Sequence, residues 1–387
     1  MYRHGKEEVK NVSRVVGSGS WFRYYGGATH CHAVEEFEEK MKKYSGAKYV
    51  LATSSGTGAL VSSLAAFGIG PMDEVIVPAY TFIATAAAVI AVGAVPVISE
   101  IDESLTIDVD DVRKKISPRT KAIAVVHMQG YPCNMDKIMK LAKEKKLLVL
   151  EDAAQAVGAS YKGKVLGTIG HAGIYSLQWH KIISSGEGGC VLTSKPEIYE
   201  RAAIYHDDAH CFRGVDKGIP AFPGVNYRMS EIAGSVACSQ IARLPKILSD
   251  LRKTKKKVLK KLGNIAPFKV AMSYDAEGDA GTTFTIQAPT AAAAEEFTGK
   301  TGIGSIFNNK ATDWHYYYHW DYILEKRSAS GTGFPWKVGN WESPVKYSKE
   351  MCPRTLDILR RSFLLGISLG WKSADIDALV KRIRTGI

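Results

Sequence analysis

The stretch SLQWHKIISSGEGG, residues 176–189, sets a histidine and a lysine side by side ahead of a glycine-containing loop. His180 could move protons. Lys181 could move protons or form a carbon–nitrogen bond, and its amine becomes a competent nucleophile where desolvation or a nearby cation lowers its pKa. The glycines that follow let backbone pass close to a ligand. A lysine in isolation is usually a solvent-facing side chain, so the chemistry depends on what else converges on this loop.

Two other stretches offer partners. TSSGTGAL, residues 53–60, follows a strand-like run and opens a helix-like one; its small residues let backbone amides approach an anion, and a helix N-terminus favours negative charge. It lacks the lysine of a nucleotide-triphosphate loop and the spacing of a dinucleotide loop, and a plain strand-to-helix turn would explain it as well. In VLEDAAQAVGA, Glu151 and Asp152 end an apolar strand, and Gln155 follows one expected helical turn later. A carboxylate at a strand's C-terminal end points into the ligand crevice, although Asp152 would also cap a following helix. Taken in order, an anion cup, a strand-end aspartate and a lysine before a glycine loop describe a pyridoxal phosphate site.

The elements that must position these residues alternate through the first two thirds of the chain. Strand-like runs fall at 48–55, 74–78, 95–102, 121–127, 147–152, 172–177 and 189–194, with helical patterns such as TGALVSSLAAFG and MDKIMKLAKEKK between the early ones. That alternation predicts an α/β fold with a mostly parallel sheet of about seven strands. The pattern loosens near residue 245, which predicts a large domain over 1–245 and a smaller C-terminal α+β domain over 246–387. The aromatic alternation of Trp314, Tyr316 and Tyr318 would suit a half-buried strand.

A formal charge of +12 favours acidic partners, but much of the excess lies in LRKTKKKVLKKLG at 251–263. There Leu251, Val258, Leu259 and Leu262 make an apolar stripe with one solvated face. Without interleaved aromatics or a recognition motif, no nucleic-acid partner is expected. The start of the chain has no apolar core of a leader, and no run approaches the roughly 18 apolar residues of a span, so no membrane partner and a cytoplasmic location are expected. Six scattered cysteines without a CxxC pair suggest neither a metal site nor a disulfide framework.

In SSGTGAL, VPAYTFIAT, VVHMQG, EDAAQAVGA, SLQWHKIISSGEGG and NYRMSEI, in that order, the chain resembles the DegT/DnrJ/EryC1/StrS sugar aminotransferases, within the fold-type I pyridoxal phosphate enzymes. The resemblance implies that Lys181, six residues before Glu187, holds the cofactor aldehyde and shuttles the proton, with His180 one residue out of register. It implies Asp152 on the pyridine nitrogen, Phe82 stacked on the ring, Gln155 near the ring, and Gly56, Thr57 and Ser176 on the phosphate. Asn226 would reach the phosphate of a neighbouring subunit, so a homodimer with shared sites follows.

The implied reaction moves an amino group from L-glutamate to a keto or aldehydo sugar. The QWHK and WHYYYHWDYI stretches look nearer to the branch acting on cyclitols, aminobenzoate precursors or free sugar acids, and the basic balance favours an acidic free sugar such as an 8-oxo-octulosonate aminated at C8. Arg23, Tyr24, His180, Arg228, His315 and His319 are the candidate contacts. A nucleotide-linked ketosugar or a cyclitol is the alternative acceptor, and a sugar dehydratase or a non-catalytic regulator the alternative role.

Overall fold

The computed structural model describes residues 4–209, 219–307 and 313–387; Cys211 lies outside them. Its centre is a seven-stranded sheet formed by β1 (Tyr49–Thr53), β2 (Glu74–Pro78), β3 (Val95–Ser99), β4 (Thr120–Val126), β5 (Leu148–Asp152), β8 (Ala172–Ser176) and β9 (Gly189–Thr193), with the two-residue strands β6 (Ser160–Tyr161) and β7 (Lys164–Val165) making a separate hairpin. The spatial order is β1-β9-β8-β5-β4-β2-β3. β9 runs opposite to the other six strands of this sheet, which are mutually parallel. All seven strands lie where the apolar runs place them. Helices cover both faces, which is why the strands read as continuous apolar runs rather than as alternation.

On one face lie α3 (Gly56–Ala66), α4 (Ala84–Ala91) and α7 (Pro196–Tyr205); the other carries α2 (Ala33–Ser45), α6 (Met135–Lys145) and α8 (Glu231–Leu262). α1 (Lys6–Ser18) packs along α8, and α5 (Val109–Lys115) links β3 to β4. The outer edge of β1 is covered by α2: Glu38 accepts the Ala52 amide at 2.6 Å and pairs with Arg23, whose guanidinium donates to the Ala52 carbonyl at 2.9 Å.

Residue 245 falls inside α8, whose 32 residues run on without a linker. Leu251, Val258 and Leu262 are buried and Leu259 half-buried, as the apolar stripe requires, while the lysines between them face outward except Lys255, which pairs with Asp279. Beyond the helix, β10 (Lys269–Val270), β11 (Thr283–Gln287) and β14 (Ser362–Gly366) form a three-stranded antiparallel sheet backed by α9 (Ala291–Thr301), α11 (Pro353–Arg360) and α12 (Ser373–Gly386). Phe284, Phe297 and Phe363 of this α+β portion join the same apolar cluster as the central sheet. Between α9 and α11 lie α10 (Asp321–Leu324) and the hairpin β12 (Lys337–Val338)–β13 (Trp341–Glu342).

Two local expectations need correction. Residues 153–159 form two successive turns, not a helix: the Ala156 amide donates to the Ala153 carbonyl and the Ala159 amide to the Ala156 carbonyl, both at 2.9 Å. Tyr316 makes one bridge to Tyr80 and then enters a tight 3₁₀ turn at Tyr317–His319, so the aromatics do not alternate along a strand. Tyr316, Tyr317 and Trp320 are all fully buried because that turn rolls them into the core together.

Glu151 is the most heavily engaged buried carboxylate here. It accepts the amides of Gly167, Ile169 and Gly170 at 2.9, 2.6 and 2.5 Å, and His127 Nε2 at 3.0 Å. The Cys133 amide donates to His127 Nδ1 at 3.1 Å, so the ring donates from Nε2. Glu151→Gln turns an amide nitrogen toward groups that are all donors, at an expected cost of about 3 kcal/mol. The urea midpoint should fall accordingly, and an unchanged midpoint would refute this role.

Candidate active site

A cavity of about 370 Å³ opens where the C-terminal ends of β5 and β8 meet the start of α3. Ser55 caps α3, its hydroxyl accepting the Gly58 amide at 2.9 Å. The amides of Gly56 and Thr57, in the first turn, have no acceptor within the helix, and both residues line the cavity. Such a helix end is a ready anion site. The helix can sit this close only because Gly56 has no side chain: a Cβ there would lie 2.7 Å from Ser176 Cβ. At Gly189 a Cβ would lie 2.6 Å from the Ser55 backbone.

Asp152 ends β5 with its carboxylate buried. Thr85 donates to Oδ2 at 2.8 Å and the Ala154 amide to Oδ1 at 3.1 Å. Burial pushes the carboxyl above its usual range, while these two bonds and the charge of Lys181 pull it back.

Lys181 sits in the connection from β8 to antiparallel β9. That connection is tied across its base: the Leu177 amide donates to the Gly188 carbonyl at 2.8 Å, and the Ser185 amide to the Leu177 carbonyl at 2.9 Å. Burial lowers the Lys181 pKa, opposed by Asp152 and Glu187. His180 lines the same cavity from an exposed position. Phe82 forms a wall, remains 40% exposed, and has its ring centroid 5.3 Å from that of His315.

A smaller cavity of about 180 Å³ shares Gln155, His180, Lys181 and His315 with the first and adds Gln129, Ile182, Thr282 and Thr283. Gln129 adopts φ 57°, the left-handed region. Its amide donates to Gln155 Oε1 at 3.0 Å, which leaves the Gln155 amide nitrogen as the donor available to the cavities.

The structure therefore brings together Gly56, Thr57, Phe82, Asp152, Gln155, Ser176, His180, Lys181 and His315. It engages four expected substrate contacts elsewhere in the chain. Arg23 is buried against Glu38, and Arg228 pairs with Asp207 and Asp208 at 2.7 and 2.8 Å. Tyr24 bonds His206 at 3.1 Å, and His319 is buried against the Tyr316 hydroxyl at 2.7 Å. Asn226 is exposed, its Oδ1 accepting the Arg228 amide at 3.1 Å, and it lines neither cavity. Sequence reasoning missed Thr81, Thr85, Gln129, Thr282 and Thr283. The i, i+4 threonines after β2, bonded to each other at 2.9 Å, were the available signal for the first two.

The profile of the DegT/DnrJ/EryC1/StrS aminotransferase family matches residues 3–326. This chain belongs to that family. It is similar to a GDP-perosamine synthase of Caulobacter vibrioides, 40% identical over 56% of this chain and 58% of that protein. It is also similar to an L-glutamine:2-deoxy-scyllo-inosose aminotransferase of Streptomyces kanamyceticus, 36% identical over 59% of this chain and 53% of that one. The chain thus spans little more than half the length of these curated relatives. Among solved structures, a 3-amino-5-hydroxybenzoic acid synthase superposes with a TM-score of 0.82 at 26% identity, covering 100% of this chain and 97% of its own. The fold-type I architecture expected from the sequence is confirmed.

Removing the Thr85 hydroxyl deletes a bond that favours the charged form of Asp152. In Thr85→Val the Asp152 carboxyl should titrate at higher pH than in the wild type, followed by carbon NMR of the labelled carboxyl. A downward move would refute the arrangement.

Proposed function

We propose that this chain is a pyridoxal phosphate-dependent aminotransferase that moves an amino group from L-glutamate to the keto or aldehydo group of a sugar or cyclitol. The observation that carries the proposal is the convergence of the α3 N-terminus, Asp152 and Lys181 on one cavity. These residues fit the cofactor: amide donors for a phosphate, a buried carboxylate for a protonated ring nitrogen, an amine with a depressed pKa, and an aromatic face left partly bare. When bound, the cofactor would supply an electron sink for breaking bonds at the amino-bearing carbon.

Gly56 and Thr57 would hold the phosphate with their amides, and Ser176 with its hydroxyl. The Asp152 carboxylate would keep the ring nitrogen protonated, with Thr85 fixing its orientation. Lys181 would anchor the cofactor through Nζ. Once the donor's amine has displaced it, the freed Nζ would take a proton from the amino-bearing carbon of the donor and, in the second half-reaction, deliver one to the former carbonyl carbon of the acceptor. Burial lowers its pKa and so favours the neutral amine that this role needs. His180 projects from the outer part of the loop, which suits contact with substrate rather than the covalent role.

The basic balance of the sequence points to an acidic acceptor such as the octulosonate, with Arg23, Arg228, His315 and His319 as its contacts. Both arginines are paired within the chain, so a hydroxylated acceptor without a carboxylate, free or nucleotide-linked, fits the cavity walls better. Work on such small molecules suits a cytoplasmic enzyme.

With pyridoxal phosphate and either L-glutamate or L-glutamine, the protein should lose its visible cofactor absorbance and release the matching 2-oxo acid. Lys181→Ala should show neither change. Release of the oxo acid by that variant at the wild-type rate would sink the assignment.

A homodimer with shared sites is part of this proposal, with the exposed Asn226 donated to the partner's phosphate. Inactive Lys181→Ala and Asn226→Asp proteins, dissociated and mixed, should then regain activity in hybrid dimers, because one of the two sites receives both intact residues. A mixture as inactive as its components would argue that Asn226 acts within its own subunit or not at all.

A further inference from the structure

We propose that Asp313 and His315 form an acceptor-orienting pair, and that the smaller cavity receives the hydroxyl-bearing part of a polyhydroxylated ketone; this rests on the aminotransferase reading above. His315 is one of four residues common to both cavities, together with Gln155, His180 and Lys181. A group at that junction faces whatever spans the two.

Backbone bonds hold His315 there. The Ile83 amide donates to the Trp314 carbonyl at 2.9 Å, the Tyr317 amide donates to the Ala79 carbonyl at 2.9 Å, and Tyr316 bridges to Tyr80. The segment from Trp314 to Tyr317 is therefore registered against the loop that carries Phe82, and the His315 ring rests beside the Phe82 ring. The imidazole is oriented as well. Asp313 Oδ1 lies 3.2 Å from the His315 amide and 3.1 Å from Nδ1, so in the neutral imidazole the proton sits on Nδ1 and Nε2 is left as an acceptor. A carboxylate that fixes the tautomer makes the ring a directional partner for a hydroxyl.

The walls of the smaller cavity have matching character. The Thr282 and Thr283 hydroxyls both donate to the Gln129 carbonyl, at 3.2 and 3.0 Å, and so retain lone pairs to accept with. Gln155 contributes a donor because its oxygen takes the Gln129 amide. Beside the apolar Ile182 the space is thus lined by both acceptors and donors, and hydroxyl groups, which do both, satisfy such a surface. A carboxylate, which only accepts, would leave the threonine and imidazole lone pairs facing it.

Separating the two half-reactions tests the pair. The holoenzyme is first aminated with L-glutamate or L-glutamine, and the aminated protein is then mixed with 2-deoxy-scyllo-inosose or with GDP-4-keto-6-deoxymannose; each stage is followed by cofactor absorbance in single turnovers. His315→Leu should slow the acceptor stage about tenfold more than the donor stage, the worth of one hydrogen bond, and raise the half-saturating ketone concentration. His315→Gln, which retains a side-chain oxygen able to accept, should recover most of that loss. Equal slowing of both stages would mean that His315 acts only through Phe82 and the cofactor, and would overturn the proposal. So would wild-type behaviour of His315→Leu, no recovery in His315→Gln, or a wild-type protein that completes the donor stage yet aminates neither ketone. A wild-type protein that fails the donor stage would strike the aminotransferase reading itself, and this proposal with it.

Discussion

Two glycines allow the first turn of α3 to press against the paired ends of β8 and β9, and most of the site's geometry depends on that contact. With a side chain at position 56 the helix would have to withdraw from Ser176, and with one at position 189 the helix start at Ser55 and Gly56 would have to withdraw from β9. Its unsatisfied amides would then no longer face the space in front of β5. Because β9 is antiparallel to β8, the connection between them turns back at this same edge and carries Lys181 with it. One steric allowance therefore places the anion-binding end and the amine on a common cavity.

The chain beyond α8 completes what the sheet begins. Thr282 and Thr283, just ahead of and at the start of β11, hold the Gln129 carbonyl and so maintain a backbone conformation rarely adopted outside glycine. The segment before α10 is bonded to the loop after β2, which sets His315 beside Phe82. Since Phe284 and Phe363 share a core with the central sheet, these contacts join parts of one packed body. A substrate held in the smaller cavity would touch both parts at once.

The sheet was legible because a strand buried on both faces must be apolar throughout, and each such run was bounded by small or polar residues. The cup, Asp152 and Lys181 were legible because each stands at the end of a strand or in the loop that follows it, where a parallel sheet presents its ligands. Other features were hidden because they come from pairings across long separations. Nothing near Arg23 announces that Glu38 and the Ala52 backbone will enclose it. Gln129 gains its role only when Thr282 and Thr283 reach it. The helix expected after Asp152 failed because AAQAVGA, good helical residues apart from its valine and glycine, folds into successive turns packed against the core, an outcome that local propensity does not report.

The neighbours Glu151 and Asp152 show how strand parity divides labour. Successive side chains on β5 point to opposite faces, so two carboxylates that are adjacent in sequence meet different surroundings. Glu151 turns toward the Gly167–Gly170 loop and His127, where four donors satisfy it and leave nothing for a ligand. Asp152 turns toward Thr85 and Lys181, receives two protein hydrogen bonds, and keeps capacity for a third partner. A slip of one residue in the pairing of β5 with β4 and β8 would turn Asp152 away from the cavity and leave Glu151 or Ala153 in its place. The donors around Glu151 resist that slip, since only a carboxylate at position 151 can meet them all. The fully engaged residue thereby fixes the register that leaves its neighbour free for chemistry.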